Sequence, residues 1–191
     1  MEGVFAMPAW AWTVIIVLAI VAVASIVWML MKQRRREALR GRFGPEYDRT
    51  VRERDSRRAA ESELQDRERR REELQIRPLA PVARARYADE WGGVQAKFVD
   101  DPGTAVLDAN GLVLRVMGDR GYPMEEFEQR AADISVDHPG VVENYRAAYR
   151  IAVLDGDGRV GTEDLRQAMV HYRSLFEELL GDEASQSRAA P

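Results

Sequence analysis

The feature that most constrains this chain is an uncharged, apolar run near its N-terminus. Residues 9–31 read AWAWTVIIVLAIVAVASIVWMLM, which is 23 residues with only Thr13 and Ser25 polar. As a helix rising about 1.5 Å per residue, the run reaches roughly 35 Å, enough to cross a hydrocarbon core of about 30 Å. Three tryptophans lie near its ends, where indole rings prefer the membrane interface. The sequence therefore predicts a single transmembrane helix, with the lipid bilayer as a partner.

A cleaved signal peptide is the competing interpretation of this run. Such a peptide needs a basic N-terminal region, an apolar core of about 7–15 residues and a small-x-small cleavage site. Here no Lys or Arg precedes the run, and the segment Ala22-Val23-Ala24 is followed by more apolar residues. We therefore favour an uncleaved anchor, with residues 1–8 as a short extracytoplasmic segment.

The orientation of the anchor follows from the basic residues on its C-terminal flank, since no basic residue precedes the run. These residues are Lys32, Arg34, Arg35, Arg36, Arg40 and Arg42. Positive charge on one flank predicts a cytoplasmic C-terminal side, hence a single-pass protein of the cell membrane. The same residues would attract anionic headgroups at about 1 kcal/mol each, or act only as a stop-transfer signal.

Residues 32–77 are predicted to form a charged stalk. They hold 16 basic and 11 acidic side chains, whereas residues 78–191 carry a net charge of −8. From Pro45 to about Gln75 there is no Gly or Pro, and acidic side chains often precede basic ones by four positions. Such pairs each stabilise an exposed helix by roughly 0.2–0.5 kcal/mol. The pattern predicts a solvated spacer helix of about 45 Å, separated from the anchor at Gly41 and at Gly44-Pro45.

Two other functions of the stalk stay open. Five positions keep a 4-3-4-3 spacing, namely Ala60, Leu64, Arg67, Arg71 and Leu74. Two of these are arginines, so the apolar seam of a coiled coil is missing and only weak self-association is expected. Nucleic-acid contact is disfavoured because acidic residues are interleaved and no aromatic side chain interrupts the arginines to stack on bases.

Residues 78–181 are predicted to form a small, acidic, all-α module of four or five helices, followed by a disordered tail at residues 182–191. Apolar side chains recur at helical spacing, and the expected core is Trp91, Phe98, Tyr145, Met169 and Phe176. Asp101 and Pro102 predict a helix start, and Gly118 to Gly121 its end. A short helix is expected at Met124 to Asp133, then a turn at Ser135 to Gly140. The last helix should run from a Thr162 cap to Gly181.

The string VLDGDGRVGTED, residues 153–164, resembles an EF-hand or dockerin-type calcium loop. Asp155, Asp157 and Asp164 stand at positions 3, 5 and 12, and Gly158 at the sharp turn. Position 1 is Val153, which has no oxygen ligand, while calcium prefers 6–8 oxygens. These aspartates are weak metal candidates, and a Gly-Asp turn between two helices is the favoured interpretation.

No catalytic or cofactor-binding residue is predicted. The chain contains no cysteine, which excludes thiolate metal sites and a cysteine nucleophile. Ser135, Asp137 and His138 lie too close along one loop to converge as a nucleophile with its base. His138 is expected to be a loop or capping residue, and His171 a residue at the edge of a core.

Three blocks of the sequence carry a resemblance. FGPEYDR (residues 43–49), FEQRAADISVDHPGVVENYR (127–146) and TEDLRQAMVHYRSLFEELL (162–180) resemble a family of bacterial single-pass membrane proteins, often labelled hypothetical or secreted. The resemblance implies the same architecture and no catalytic residue. Arginine-rich composition, with two lysines among 28 basic residues, also favours a high-GC bacterium.

The sequence thus favours a non-enzymatic, membrane-anchored interaction module, an adaptor or scaffold that docks a cytoplasmic protein partner. A membrane-tethered calcium-responsive protein is the first alternative, resting on residues 153–164 alone. An enzyme whose site forms only in three dimensions is the second.

Overall fold

The computed structural model describes residues 9–155 and 160–181, and every regular element among them is a helix. The predicted all-α class is therefore confirmed. The helices are α1 (Ala9–Phe43), α2 (Pro45–Glu53), α3 (Arg57–Glu73), α4 (Pro81–Lys97), α5 (Pro102–Arg120), α6 (Phe127–Asp137), α7 (Val142–Asp155) and α8 (Thr162–Gly181). The chain divides into two compact units, Met1–Gly41 and Arg42–Pro191.

The first unit is dominated by the apolar part of α1. Every side chain from Val14 to Met31 is exposed. By length and composition the helix is able to cross a membrane, a test that an N-terminal signal sequence also passes. The helix continues through Gly41, where a break was expected, and ends at Phe43. Gly44 then adopts a positive φ of 48°, and Pro45 starts α2, as the sequence predicted.

The predicted solvated spacer helix is wrong. Residues 45–73 form two helices, with Ser56 between them as the N-cap of α3, its Oγ accepting from the Ala59 amide at 3.2 Å. Ala60 and Leu64 are fully buried, and α3 packs against α6. The stretch from Arg42 onwards therefore belongs to the same compact unit as the C-terminal helices. The boundary expected at residue 78 lies inside that unit.

The apolar core of the second unit lies mainly among α5, α7 and α8. Five of its largest side chains have no exposed surface: Leu112, Met117, Tyr145, Tyr172 and Leu175. Helix α4 covers one side of this core, where Trp91 stacks on Phe176 with ring centroids 4.7 Å apart. The helical spacing of apolar residues predicted these faces. Four of the five expected core residues are buried, and the fifth, Phe98, is partly buried.

Helix α5 has the predicted ends. Asp101 caps it by accepting from the Thr104 amide at 3.1 Å, and Gly121 ends it with φ at 96°. A Cβ on Gly121 would lie 2.6 Å from the Gln75 carbonyl oxygen, so this position also needs glycine for close backbone approach. The neighbouring Arg77 amide donates to the Arg120 carbonyl at 2.9 Å, which fastens the α3–α4 connection to the end of α5.

Helix α6 differs from its predicted bounds at both ends. It begins at Phe127 rather than Met124, because Glu126 before it has extended backbone angles. It continues to Asp137, so Ser135 is helical rather than in a turn. The apolar stripe continues through buried Ile134. The helix stops at His138, where the following proline disfavours helical backbone.

Candidate functional site

The calcium-type string is only partly described. Asp157 and the side chain of Asp155 lie outside the described residues, whereas Asp164 is exposed in the first turn of α8. Val153 lies in the last turn of α7 and is also exposed. Within residues 9–155 and 160–181, no group of three His, Cys, Asp or Glu side chains is placed to hold a metal ion. Weak or absent calcium binding at this string stays a prediction.

Ser135 and His138 are buried, and each is engaged by a different neighbour. The Ser135 hydroxyl donates to the Ala132 carbonyl at 2.6 Å and accepts from Arg67 at 3.2 Å. The His138 Nδ1 atom lies 3.3 Å from a carboxylate oxygen of Glu178. The two side chains therefore do not form a nucleophile and base pair. His138 occupies the C-cap of α6, which agrees with the capping role expected for it.

Asp137 and His171 have structural contacts of their own. Asp137 accepts from the Tyr122 hydroxyl at 3.0 Å and forms an ion pair with Arg71. Burial, followed by the nearby Asp137 charge, raises the pKa of Tyr122 well above its usual range. His171 is half-buried, with Nδ1 3.1 Å from the side-chain oxygen of Asn144. These contacts tie helices together rather than forming a reaction centre.

The main polar site is a buried carboxylate that no sequence pattern singled out. Glu46, the second residue of α2, has no exposed surface. Its Oε1 accepts from Arg67 of α3 at 2.7 Å, and its Oε2 accepts from Arg146 of α7 at 2.8 Å. One carboxylate therefore joins three helices. We call Glu46, Arg67 and Arg146, with the flanking Glu63 and Glu143, the Glu46 cluster.

Each buried arginine of the Glu46 cluster also meets a second carboxylate. Arg67 donates to Glu63 at 2.5 Å, and Arg146 donates to Glu143 at 3.2 Å. The side chains of Arg67 and Arg146 are only 11% and 6% exposed. Their positive charges are therefore balanced mainly by these carboxylates and not by water. Such additional hydrogen bonds are what makes an ion pair out of water tolerable. The match is incomplete at Arg146, whose buried Nε atom has no hydrogen-bond partner among the described residues.

The pKa of Glu46 reflects a competition between burial and charge. Burial acts to raise it, but the Arg146 charge and the hydrogen bonds from Arg67 and Arg146 outweigh burial and hold the pKa below its ordinary value. Glu63 shows the same balance, with hydrogen bonds from Arg54 and Arg67 lowering its pKa against burial. Both carboxylates are therefore ionised at neutral pH and bind their arginines as charged groups.

Two further arginines extend this contact along α3. Arg70 donates to Asp133 of α6 at 3.0 Å and to Glu125 at 2.7 Å, and Arg71 pairs with Asp137. We call Arg67, Arg70 and Arg71 the α3 arginine seam. They lie three and four positions apart, hence on one face of the helix. The seam fixes how α3 lies on α6.

Two signals in the sequence bear on this arrangement. The 4-3-4-3 spacing from Ala60 to Leu74 marks the face of α3 that is buried, and the helices that pack on α3 are α2 and α6. Glu46 and Arg146 lie in the first two of the three sequence blocks quoted above, residues 43–49 and 127–146. His138 and Glu178 likewise join the second block to the third.

A small apolar groove lies between α4 and α8, away from the Glu46 cluster. Its volume is 180 Å³, and its lining residues are Trp91, Gln95, Phe98, Arg166, Met169, Val170 and Arg173. Trp91 and Met169 are buried, whereas Val170 is 52% exposed at the surface. We call this feature the α4–α8 groove.

A larger and more open cleft of 640 Å³ lies between α4 and α5. Its charged side chains are paired with one another. Arg115 donates to Glu90 at 2.7 Å, and the Tyr87 hydroxyl donates to Asp119 at 2.6 Å. Burial and that hydrogen bond raise the pKa of Tyr87. The cleft therefore presents its ionisable groups to each other rather than to a ligand.

The fold and these contacts define an all-α module that incorporates the chain immediately after its apolar helix. No protein-family model matches the chain, and no curated protein or solved structure shows significant similarity to it.

Proposed function

We propose that the chain is a single-pass, membrane-anchored interaction module whose helical unit lies in the cytoplasm and binds a protein partner there. The exposed apolar surface of α1 supports the anchor. The basic residues 32–42 that follow it support the orientation. The family resemblance adds a bacterial cell as the setting.

The observation that carries the proposal is the Glu46 cluster. Because it holds α2 and α3 to α7, the folded unit starts at Arg42, and only residues 32–41 remain as a connection to the apolar run. Even fully extended, ten residues span at most about 36 Å, and as a helix about 15 Å. The partner would therefore be bound close to the bilayer, not at the end of a long stalk.

Binding is favoured over catalysis by the state of the ionisable groups. Among the described residues, the buried carboxylate of Glu46 binds arginines of other helices, and Asp133 does the same through Arg70. A catalytic acid or base would instead face a cavity large enough for substrate. The α4–α8 groove has an apolar floor, which suits contact with a protein side chain.

Fractionation of the full chain tests the anchor. We expect the intact polypeptide, at full-length mass, to stay in the membrane fraction after alkaline carbonate washing, because the apolar helix lies within the bilayer. A chain shortened at its N-terminus and released into the soluble fraction would identify residues 9–31 as a signal peptide and overturn the proposal.

Reporter fusions after Pro191 test the orientation. A cytoplasmic reporter should be active and an alkaline phosphatase fusion inactive, since basic residues retain the C-terminal side. Replacing Arg34, Arg35 and Arg36 together by Glu should weaken this preference. The matched control replaces Arg52, Arg57 and Arg58, which follow the connecting segment, and should leave the orientation unchanged. High phosphatase activity in the unmodified chain would contradict the cytoplasmic assignment.

A further inference from the structure

We propose that the α4–α8 groove is the docking site of the module, and that its occupant is an acidic peptide segment that inserts one large apolar side chain beside Arg173. This inference rests on the proposed function, because it names the class of partner that the tethered module binds.

The size of the groove limits what it can hold. At 180 Å³ it is smaller than the roughly 300–1,000 Å³ of ordinary small-molecule sites. A single apolar side chain is the kind of group that fits such a space. Protein interfaces commonly depend on one or two anchor side chains seated in a desolvated pocket. The stacked pair of Trp91 and Phe176 gives the groove a rigid wall for such an anchor.

The charge at the rim selects an acidic partner. Arg166 is already bound by Glu163 through two hydrogen bonds, at 2.8 and 2.6 Å. Arg173 is exposed and has no hydrogen-bond or ion-pair partner among the described residues. Val170 lies three positions before Arg173, on the same side of α8. An apolar anchor over Val170 therefore places a neighbouring carboxylate within reach of this free guanidinium.

Other occupants fit these charges less well. Two copies of the chain joined groove to groove by a two-fold axis would place Arg173 of both copies in one interface, where two like charges have no matching carboxylate at the groove. An anionic bilayer surface would meet a unit whose residues 78–191 carry a net charge of −8. A short acidic peptide contacts only the groove and its rim, where Arg173 attracts its carboxylate locally, whereas a bilayer surface would face a much larger part of this negatively charged unit.

The test uses the full chain in lipid nanodiscs and fluorescent Ala-based helical peptides. The first peptide carries Leu and Glu one helical turn apart, the second replaces Glu by Lys, and the third replaces Leu by Ser. We expect measurable binding of the Leu and Glu peptide and at least about tenfold weaker binding of the other two, a difference of about 1.4 kcal/mol. No binding of the first peptide, or equal binding of the Lys peptide, overturns the proposal.

Paired variants assign the binding to the groove. Arg173→Glu and Val170→Asp should each weaken binding of the Leu and Glu peptide about tenfold or more. The matched controls are Arg58→Glu, an exposed arginine on α3 that is also unpaired among the described residues, and Val82→Asp, an exposed valine at the start of α4. These controls should bind like the unmodified chain. Equal losses in variants and controls would remove the groove from the interaction.

The same sample separates this inference from the proposed function. A chain that stays in the membrane fraction but binds none of the peptides refutes the acidic partner and leaves the anchor intact. A chain released after cleavage refutes the anchor whatever the peptides do. Dimers in the nanodisc that Val170→Asp dissociates would assign the groove to a second copy, and would also overturn the proposed partner.

Discussion

Helices α3 and α8 both belong to the second unit, but different forces hold them there. Helix α8 buries Tyr172, Leu175 and Phe176 against α4, α5 and α7. Helix α3 buries Ala60 and Leu64, and it contacts α6 and α2 largely through polar groups, which include the α3 arginine seam and Glu61, bound by the Tyr47 hydroxyl of α2. Apolar burial is non-directional and independent of protonation, whereas an ion pair requires one geometry and two charged groups.

The apolar contacts of α8 and the ion pairs of α3 differ in whether they contribute mainly to stability or mainly to the position of the helix. Fully burying a large apolar side chain contributes roughly 1.5–3 kcal/mol. A buried ion pair contributes little net stability over an apolar pair of the same shape, because desolvation offsets the attraction, but removing one partner is costly. We therefore expect α8 to determine how stable the unit is, and the Glu46 cluster to determine where α2 and α3 lie on it.

The largest effect should come from the apolar side of this comparison. Phe176→Ala removes the ring stacked on Trp91 and should lower the free energy of unfolding by about 3–5 kcal/mol. Urea unfolding followed by circular dichroism measures the change. Since no charge is involved, the loss should be the same at low and high salt. A loss below about 1 kcal/mol would show that this core is not the main source of stability.

A smaller loss is expected from Glu46→Gln, which keeps the size of the side chain and removes its charge. Two buried arginines then lose charge-assisted hydrogen bonds, and we expect a loss of about 1.5–3 kcal/mol in unfolding free energy. The matched control is Glu53→Gln on the same helix, an exposed carboxylate paired with Arg49, which should change stability by less than about 1 kcal/mol. Equal effects of the two variants would contradict a special role for the buried carboxylate.

Lowering the pH should destabilise α3 more than α8. The folded-state pKa of Glu46 is lowered, so its stabilising contribution is complete above the pKa of the unfolded chain and is lost as pH falls through the folded value. Amide hydrogen exchange across a pH series, corrected for intrinsic rates, should show α3 losing protection before α8. Glu46→Gln should reduce that difference. Parallel loss of protection in both helices would show that the charges do not control α3.

The smallest loss of unfolding free energy is expected from Arg69, which is only two positions from Arg67 of the Glu46 cluster. Arg69 is 73% exposed and pairs with Asp66 on its own helix, so Arg69→Ala should cost less than about 1 kcal/mol. Arg67→Ala, on the buried face, should cost clearly more because it leaves Glu46 and Glu63 partly uncompensated. Chemical unfolding of the two variants side by side makes the comparison. A reversed order would disprove the assignment of the two faces.

The sequence predicted those parts of the fold that depend on local pattern. These parts depend on residues that lie within a few helical turns of one another. They are the uncharged run, the Asp101 and Gly121 ends of α5, and the apolar stripes of α4, α7 and α8. The docking of α3 is different, because Arg67 contacts Glu46 at 21 positions and Ser135 at 68 positions along the chain, and Arg70 contacts Asp133 at 63 positions. From sequence alone, an arginine on a helix face is expected to be exposed to solvent, because the distant carboxylate that binds it in the fold is not known.

The α4–α8 groove could not be predicted from the sequence either. Its walls come from helices some 70 residues apart, and Trp91 and Met169 were correctly predicted as core residues without any sign that a space remained beside them. Whether Arg173 is paired also depends on the fold, since Glu177 stands one turn further along α8 yet forms no ion pair with it among the described residues.

The shortness of residues 32–41 has a further consequence for how strongly the module needs to bind. On the proposed anchoring, a partner that is itself attached to the same membrane meets the groove within a thin layer, where a short tether gives an effective concentration in the millimolar range. A contact too weak to detect between soluble fragments would then be largely occupied in the cell. A partner diffusing freely in the cytoplasm gains nothing from the tether, so membrane attachment itself becomes a source of selectivity.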